Sequence, residues 1–293
     1  MTEGLKLSQL PPLREVIKTQ GLSARKPLGQ NFILDLNITD RIASVAGPIN
    51  AATILEIGPG PGGLTRSLLA AGAGTVIAVE RDTRCISALQ EIKNIVGERL
   101  IILNENALNL DLTMLTEKHG SLRVIANLPY NISTRLLLDW LKNIELFDGF
   151  FLMFQKEVAD RLTSPPGSKS YGRLSVAVQW RCKTRALFTL PPTVFVPPPK
   201  VFSTLVELIP RPIMLDDAEP AILEKVVYTA FSQRRKMMRS SMKRIFPMPE
   251  NALLRAGILP TARAESVTIG QFCALARILA LQQNKISVPP GGV

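Results

Sequence analysis

Short apolar runs alternate with amphipathic segments between residues 53 and 209. The apolar runs are typical of buried strands, and the segments between them, with apolar residues three and four positions apart, are typical of helices. The predicted strands are TILEI (53–57), TVIAVE (75–80), RLIILNENAL (99–108), RVIAN (123–127), DGFFLMFQ (148–155), SVAVQW (175–180) and TLVELI (204–209). Strands separated by helices indicate a mostly parallel sheet, and the short link between the last two strands predicts an antiparallel terminal hairpin.

The pattern changes after the proline-rich and acidic segment LIPRPIMLDDAEP. The three amphipathic stretches that follow predict helices over residues 221–246, 250–258 and 268–281. The sequence therefore predicts two domains, a Rossmann-like α/β domain over residues 1–212 and a small all-α domain over residues 213–293.

Composition restricts the class of protein. Of the 293 residues 46% are hydrophobic, which is enough for a buried core. No apolar run approaches the roughly 20 residues that a membrane span needs, so we expect a soluble, cytoplasmic protein without a membrane partner.

The few histidines and cysteines restrict the chemistry. His119 is the single histidine, and the three cysteines are far apart, so a His-based triad, a disulfide framework and a metal site are all disfavoured. No metal is expected.

The positive charge is concentrated in the last third of the chain. Residues 1–180 carry 19 Lys and Arg against 17 Asp and Glu, whereas residues 181–293 carry 16 against 7. This asymmetry is typical of a nucleic-acid-binding appendage on a near-neutral catalytic domain, although a merely solvated basic face would have the same composition.

A glycine-rich loop, EIGPGPGG, follows the first predicted strand. Gly58, Gly60 and Gly63 have the spacing GxGxxG, and Glu80 ends the next strand, where a carboxylate can bind both hydroxyls of a ribose. The motif alone is weak evidence, because a dinucleotide oxidoreductase or a purely structural turn can also contain it.

Three residues around this loop disfavour a pyrophosphate. Pro59 and Pro61 lack amide donors, and Glu56 adds a negative charge. An adenosine-containing cation without phosphate fits better, which favours S-adenosylmethionine as cofactor and a class I methyltransferase sheet as the fold.

Other polar residues are candidate cofactor ligands. Asn106 ends the third strand, where it could bind the adenine amine, or it could be an ordinary turn residue. Gln30, Asn31 and Phe32 precede the first predicted strand and could fold over the cofactor, or serve only as loop and cap residues.

The fourth strand ends in Asn127-Leu128-Pro129-Tyr130. The Asn127 side-chain oxygen and the Leu128 carbonyl could accept the two N–H groups of an adenine amine, while Pro129 restricts the conformation of Leu128. Tyr130 could stack on the base. An Asx turn with a core tyrosine is the structural alternative.

Two further segments could contact RNA. Phe195, beside three consecutive prolines, could stack on the other face of the base or be a plain core residue. The segment FSQRRKMMRSSMKR could track phosphates with one helical face, or be a solvated cationic helix; its candidate RNA-binding residues are Arg234, Arg235, Lys236 and Arg239.

Seven segments together resemble the ribosomal RNA adenine N6-dimethyltransferases. They are, in family order, GQNFILD, LEIGPGPGGLT, VIANLPYNIST, QKEVADR, YGRLSV, FVPPPKV and AFSQRRK, within residues 25–280. NLPYNIST, YGRLSV and FSQRRK resemble most the bacterial small-subunit enzymes, and the large-subunit enzymes of the erythromycin-resistance type are the alternative.

The resemblance implies dimethylation of two adjacent adenosines near the 3′ end of 16S rRNA, in a precursor of the small ribosomal subunit, by a monomeric enzyme. It implies the cofactor and base contacts described above, except that the family usually has Asp where this chain has Asn106. An assembly factor with secondary catalysis and a DNA adenine methyltransferase remain alternatives; the latter usually has proline in place of Leu128.

Overall fold

The computed structural model describes residues 7–212 and 215–287. By spatial contact these residues form two units. The first contains the chain up to Ala159 and Thr184–Pro210, and the second contains Asp160–Lys183 and the chain from Arg211 onwards. The predicted domain boundary between residues 212 and 213 lies close to Pro210 and Arg211, where the chain passes from the first unit to the second for the last time. The sequence did not indicate that Asp160–Lys183 belongs to the same unit as the C-terminal helices. An independently folding domain over 213–293 stays a prediction.

The strands, in chain order, are β1 (Phe32–Ile33), β2 (Thr53–Ile57), β3 (Thr75–Val79), β4 (Leu100–Leu103), β5 (Leu122–Ala126), β6 (Phe147–Gln155), β7 (Cys182–Leu190), β8 (Phe195–Val196) and β9 (Ser203–Pro210). Seven of them form one sheet in the order β4-β3-β2-β5-β6-β9-β7, and β1 pairs with β8 in a separate antiparallel ribbon. The pairs from β4 to β6 are parallel and β6–β9 is antiparallel, which confirms the predicted sheet.

The helices, in chain order, are α1 (Leu13–Thr19), α2 (Leu36–Val45), α3 (Gly63–Ala70), α4 (Ile86–Val96), α5 (Leu112–His119), α6 (Ser133–Trp140), α7 (Lys156–Thr163), α8 (Arg173–Arg181), α9 (Pro220–Ser232), α10 (Met238–Ser241), α11 (Pro249–Arg255) and α12 (Ile269–Ser287). Within the described residues, no helix combines the length and the apolar character needed to cross a membrane.

Two sequence-based assignments are wrong. SVAVQW forms most of α8 rather than a strand, because Ser175 Oγ accepts the Gly172 amide at 3.0 Å and so starts a helix. Val176 and Trp180, four residues apart, then lie in the core of the C-terminal unit. A short apolar run fits a strand and a buried helix equally well, and here the strand comes next, as β7.

The second error concerns the helix predicted over residues 221–246. It ends at Ser232, turns at Gln233 and resumes as α10 at Met238. Met238 and Met242, four residues apart, are both fully buried. These two methionines therefore pack in the core from a separate short helix and the turn after it.

Each unit has its own hydrophobic core. In the N-terminal unit, apolar residues of β2, β3 and β5 pack against α3 and α4. In the C-terminal unit, α9 and α12 pack together, with Phe246 and Phe272 at most 1% exposed. The sheet core matters most for the site, since it places the ends of β2, β3 and β5 side by side.

Candidate functional site

The order of the sheet reverses between β2 and β5, and a cleft lies at the carboxyl ends of these strands. Such a switch point is where open α/β sheets bind ligands, because the connections leave in opposite directions. The lining residues are Gly29, Gln30, Asn31, Phe32, Ile33, Thr39, Glu56, Gly58, Pro59, Pro61, Gly63, Leu64, Glu80, Asn127, Leu128 and Pro129.

The glycine loop requires glycine for steric reasons. Gly60 has a φ of +55°, and a Cβ there would lie 2.6 Å from the Phe32 ring. At Gly63, where α3 begins, a Cβ would lie 3.0 Å from the Ile33 carbonyl oxygen. Strand β1 therefore packs directly on the loop, which explains how Phe32 comes to line the cleft.

Glu56 is a buried carboxyl group in the floor of the cleft. It is 1% exposed, and its Oε2 accepts a hydrogen bond from Thr65 Oγ1 at 2.7 Å. Burial raises the pKa of Glu56 to about 8, with a smaller contribution from the charge of Glu80, while the Thr65 bond opposes the rise. A cation in the cleft would stabilise the ionised form.

Glu80 is held by two backbone amides. Its Oε2 accepts from Gly60 N at 3.0 Å and its Oε1 from Asp82 N at 2.7 Å. Burial raises its pKa, and these two hydrogen bonds counteract the rise. Because each carboxylate oxygen can accept a second bond, Glu80 can still bind a pair of hydroxyl groups.

Gln30 is bound to protein groups at both ends of its amide. Its Nε2 donates to Asp82 Oδ2 at 3.1 Å, and its Oε1 accepts from Arg25 N at 2.8 Å. Asp82 is also paired with Arg84 at 2.5 Å, and mainly this bond lowers the Asp82 pKa to about 2. Gln30 thus lines the cleft as a fixed residue.

The Asn127 amide is oriented by the residue that precedes strand β1. Its Nδ2 donates to the Asn31 carbonyl oxygen at 2.8 Å, while its Oδ1 is buried and, among the described residues, has no hydrogen-bond partner. Buried polar atoms are nearly always satisfied, so an unpaired acceptor in a cleft indicates a ligand donor. This is the atom that the sequence analysis assigned to the substrate amine.

The rest of the tetrad is tightly positioned. Leu128 is 2% exposed, and the Pro129 ring lies 3.4 Å from where a Cβ on Gly58 would be. Tyr130 is half-buried, and its hydroxyl lies 2.5 Å from Ser203 Oγ. Pro129 O accepts amides at the start of α6, so the tetrad is fixed between strand and helix.

Four candidate residues are not among those that line the cleft: Gly60, Asn106, Tyr130 and Phe195. Asn106 accepts the Leu108 amide at 3.2 Å, in a turn, and does not line the cleft. Phe195 is 1% exposed and packs in the sheet core, paired with Ile33, so its ring is not available for stacking in this structure. Asn106 and Phe195 therefore have the structural roles, a turn residue and a core residue, that were the alternatives for them.

The basic residues of the C-terminal unit differ among themselves. Arg235, Lys236 and Arg239 are exposed, and Arg239 forms only a loose ion pair with Glu250. Arg234 instead donates to the Lys169 and Tyr171 carbonyls and pairs with Glu265 at 3.2 Å. It therefore connects segments within this unit.

Sequence reasoning missed three residues beside the site: Thr65, Asp82 and Ser203. Thr65 binds Glu56, Asp82 anchors Gln30, and Ser203 binds Tyr130. Thr65 lies nine residues after Glu56, but Ser203 lies 73 residues after Tyr130. Such distant pairs have no signal in one sequence, because only the sheet brings them together.

Comparison with known proteins identifies related chains. The profile of the ribosomal RNA adenine dimethylase family matches residues 21–281. A Ribosomal RNA small subunit methyltransferase A from Rhodospirillum rubrum is 54% identical over 268 residues, 92% of each chain. Another of that name, from Paramagnetospirillum magneticum, is 54% identical over 93% of this chain and 96% of its own.

Solved structures agree with this fold. A dimethyladenosine transferase from Plasmodium falciparum superimposes with a TM-score of 0.71 at 26% identity, covering 87% of this chain and 98% of that one. The 23S rRNA methyltransferase ErmE gives a TM-score of 0.65 at 25% identity, over 85% of this chain and all of its own.

Proposed function

Because the chain belongs to the ribosomal RNA adenine dimethylase family and is an rRNA adenine methyltransferase, we propose that it dimethylates N6 of two adjacent adenosines near the 3′ end of 16S rRNA. We propose a precursor of the small ribosomal subunit as its substrate particle. The observation that carries the proposal is the buried Asn127 Oδ1, which has no hydrogen-bond partner in the described part of the chain and lies in the same cleft as two buried carboxyl groups.

The residues of the cleft fit S-adenosylmethionine, the methyl donor of the family. No Lys or Arg of the described chain lines the cleft, whereas Glu56 and Glu80 both do. This set of groups favours a ligand with positive charge and ribose hydroxyls and disfavours one with phosphates. When bound, S-adenosylmethionine supplies an electrophilic methyl group on a sulfonium sulfur.

The protein groups orient the substrate amine. Asn127 Oδ1 and the Leu128 carbonyl accept its two N–H groups, which directs the nitrogen lone pair toward the methyl group. Glu56 and Glu80 would hold the cofactor, which would supply its methyl group to this nitrogen and be released as a neutral thioether. The methylated nitrogen then loses its proton to water, so no histidine base is needed.

Tyr130 and the basic surface supply binding to RNA. The half-buried Tyr130 ring stacks on an adenine turned out of its strand, and the exposed Arg235, Lys236 and Arg239 contact phosphates. We further propose that the enzyme acts as a monomer in the cytoplasm.

Methylation of isolated particles tests this function. The protein is incubated with labelled S-adenosylmethionine and with precursor small subunits, mature small subunits or large subunits in separate reactions. We expect label at adenine N6, in the precursor small subunits, at two adjacent positions. Label on cytosine, or no label in any particle, would refute the proposal.

The same assay separates the alternative substrate. Label confined to large subunits would instead assign the enzyme to 23S rRNA, the RNA that ErmE methylates. The small-subunit assignment is favoured because the relatives that share about half of their residues with this chain carry the small-subunit name.

A further inference from the structure

A buried hydroxyl that has no role in the proposed reaction holds the ring of Tyr130. Ser203 Oγ lies 2.5 Å from the Tyr130 hydroxyl, at the short end of the range for O–H···O bonds. Ser203 is 0% exposed. Burial raises the pKa of Tyr130, so its hydroxyl stays neutral at physiological pH and can donate this bond.

Ser203 belongs to a rigid element. It is the first residue of β9 and pairs with Gln155 at the end of β6, in an antiparallel ladder of six residue pairs. Next to it, the Phe202 carbonyl accepts the Lys156 amide at 2.8 Å. The Ser203 backbone is therefore held by the sheet, independently of the loop that contains the tetrad.

Tyr130 itself lies in that loop and is held at its other end. Its carbonyl accepts a hydrogen bond from Ser133 Oγ at 3.2 Å, at the start of α6. The tyrosine hydroxyl lies on the Cβ–Cγ axis, so fixing the backbone and the hydroxyl oxygen fixes χ1 and the direction of the ring axis. Because a phenolic O–H lies in the plane of its ring, a bond donated to Ser203 also favours one ring plane. Stacking on a flat base depends on that plane.

We propose that Ser203 is a positioning residue of the methyl-acceptor site, whose hydroxyl holds the Tyr130 ring in the orientation that stacks on the target adenine. The inference rests on the proposed function, because only a base-binding role makes the ring plane matter. Ser203 touches neither the base nor the cofactor and acts only through Tyr130.

A double-mutant cycle tests the coupling. Ser203→Ala, Tyr130→Phe and the double variant are compared in methylation of the rRNA substrate. We expect Ser203→Ala to lower kcat about tenfold, with the KM for S-adenosylmethionine changed less than about twofold. In the Tyr130→Phe background, where the partner hydroxyl is already gone, the same change should cost less than about twofold. An equal loss in both backgrounds would refute the inference.

Thr204→Val is the matched control. Thr204 Oγ1 lies one residue further along β9 and bonds Thr189 Oγ1 at 2.9 Å, away from the tetrad. Thr189 is exposed, so water can replace its partner. We expect Thr204→Val to retain the wild-type kcat; a loss equal to that of Ser203→Ala would show a general effect on β9 and refute the specific role.

Tyrosine NMR separates this inference from the proposed function. The chain has three tyrosines, so ring-labelled protein should show Tyr130 as a resolved signal. Ser203→Ala, or Ser203→Cys if the alanine variant does not fold, should shift that signal and leave those of Tyr171 and Tyr228 unchanged. An unchanged Tyr130 signal would refute the inference even if the wild-type enzyme methylates rRNA. A shifted signal in a protein that methylates no RNA would refute the proposed function alone.

Discussion

The cleft at the ends of β2 and β5 and the basic segment of residues 234–244 differ in where their polar groups lie. In the cleft, Glu56, Glu80 and Asn127 are buried or nearly so, and each has a defined partner or a defined unpaired atom. In the basic segment, most charged groups are exposed to water.

This difference sets how strongly each region depends on geometry. A buried carboxylate or amide interacts at low dielectric, where losing one partner leaves a large free-energy penalty. An exposed cation is screened by salt and contributes a small increment that adds to those of its neighbours. We therefore expect single changes in the cleft to have large effects, and single changes in the basic segment to have small ones.

The largest effect should come from Asn127→Ala. Removing an acceptor that has no hydrogen-bond partner among the described residues should lower kcat by about 100- to 1000-fold, with S-adenosylmethionine binding retained. Methylation of rRNA and calorimetric cofactor binding measure the two properties. Asn131→Ala, an exposed asparagine four residues away, is the control. Comparable activity of both variants would contradict the role of Asn127.

Gly60→Ala should have the next largest effect. The left-handed φ and the clash with Phe32 together should lower the free energy of unfolding by about 2 to 4 kcal/mol. Gly21→Ala is the matched control, because Gly21 has a φ of +62° but nothing within 4 Å of the added Cβ. It should cost only about 1 kcal/mol. Chemical denaturation measures the free energy of unfolding of both variants. Equal losses of stability would show that the clash with Phe32 does not destabilise Gly60→Ala.

The titration of Glu56 should give an intermediate effect. Its pKa is raised from 4.5 to about 8 in the folded protein, so the stabilisation is full below pH 4.5 and is lost as pH rises to about 8. The free energy of unfolding without cofactor should fall in this window by at most about 1.4 kcal/mol per pH unit. Glu56→Gln should flatten the curve, while Glu80 titrates in both proteins. Parallel curves would show that Glu56 is not protonated.

The smallest effects should come from the basic segment. Arg235→Ala should weaken RNA binding about three- to tenfold and reduce the salt slope of log K by about one, without changing stability. Arg234→Ala should lower the stability of the protein and leave RNA binding and its salt slope unchanged, because the Arg234 guanidinium donates hydrogen bonds to the Lys169 and Tyr171 carbonyls. Filter binding at several salt concentrations and thermal unfolding measure these quantities. An equal loss of RNA affinity in both variants would contradict the distinction between Arg235 as an RNA contact and Arg234 as a structural residue.

Much of the fold was predictable because its signals are local. The apolar runs around β2, β3 and β5 and the glycines before α3 each fit only a narrow range of backbone conformations. The predicted strand over SVAVQW failed because a six-residue apolar run lacks a distinguishing period. The prediction of one continuous helix over residues 221–246 was wrong because no proline or glycine near Ser232 indicates where the helix ends.

The sequence by itself determined the chemistry that is available. The chain has one histidine, a glycine loop whose prolines lack amide donors for a phosphate, and an Asn-Leu-Pro-Tyr tetrad. Only the tertiary structure decided which atoms meet. It paired Asn127 Nδ2 with Asn31 and left Oδ1 unpaired, and it buried Phe195. It also brought Ser203 to Tyr130. The reason is that residue type and spacing limit local conformation, whereas contacts between distant segments depend on the order and register of strands across the whole sheet.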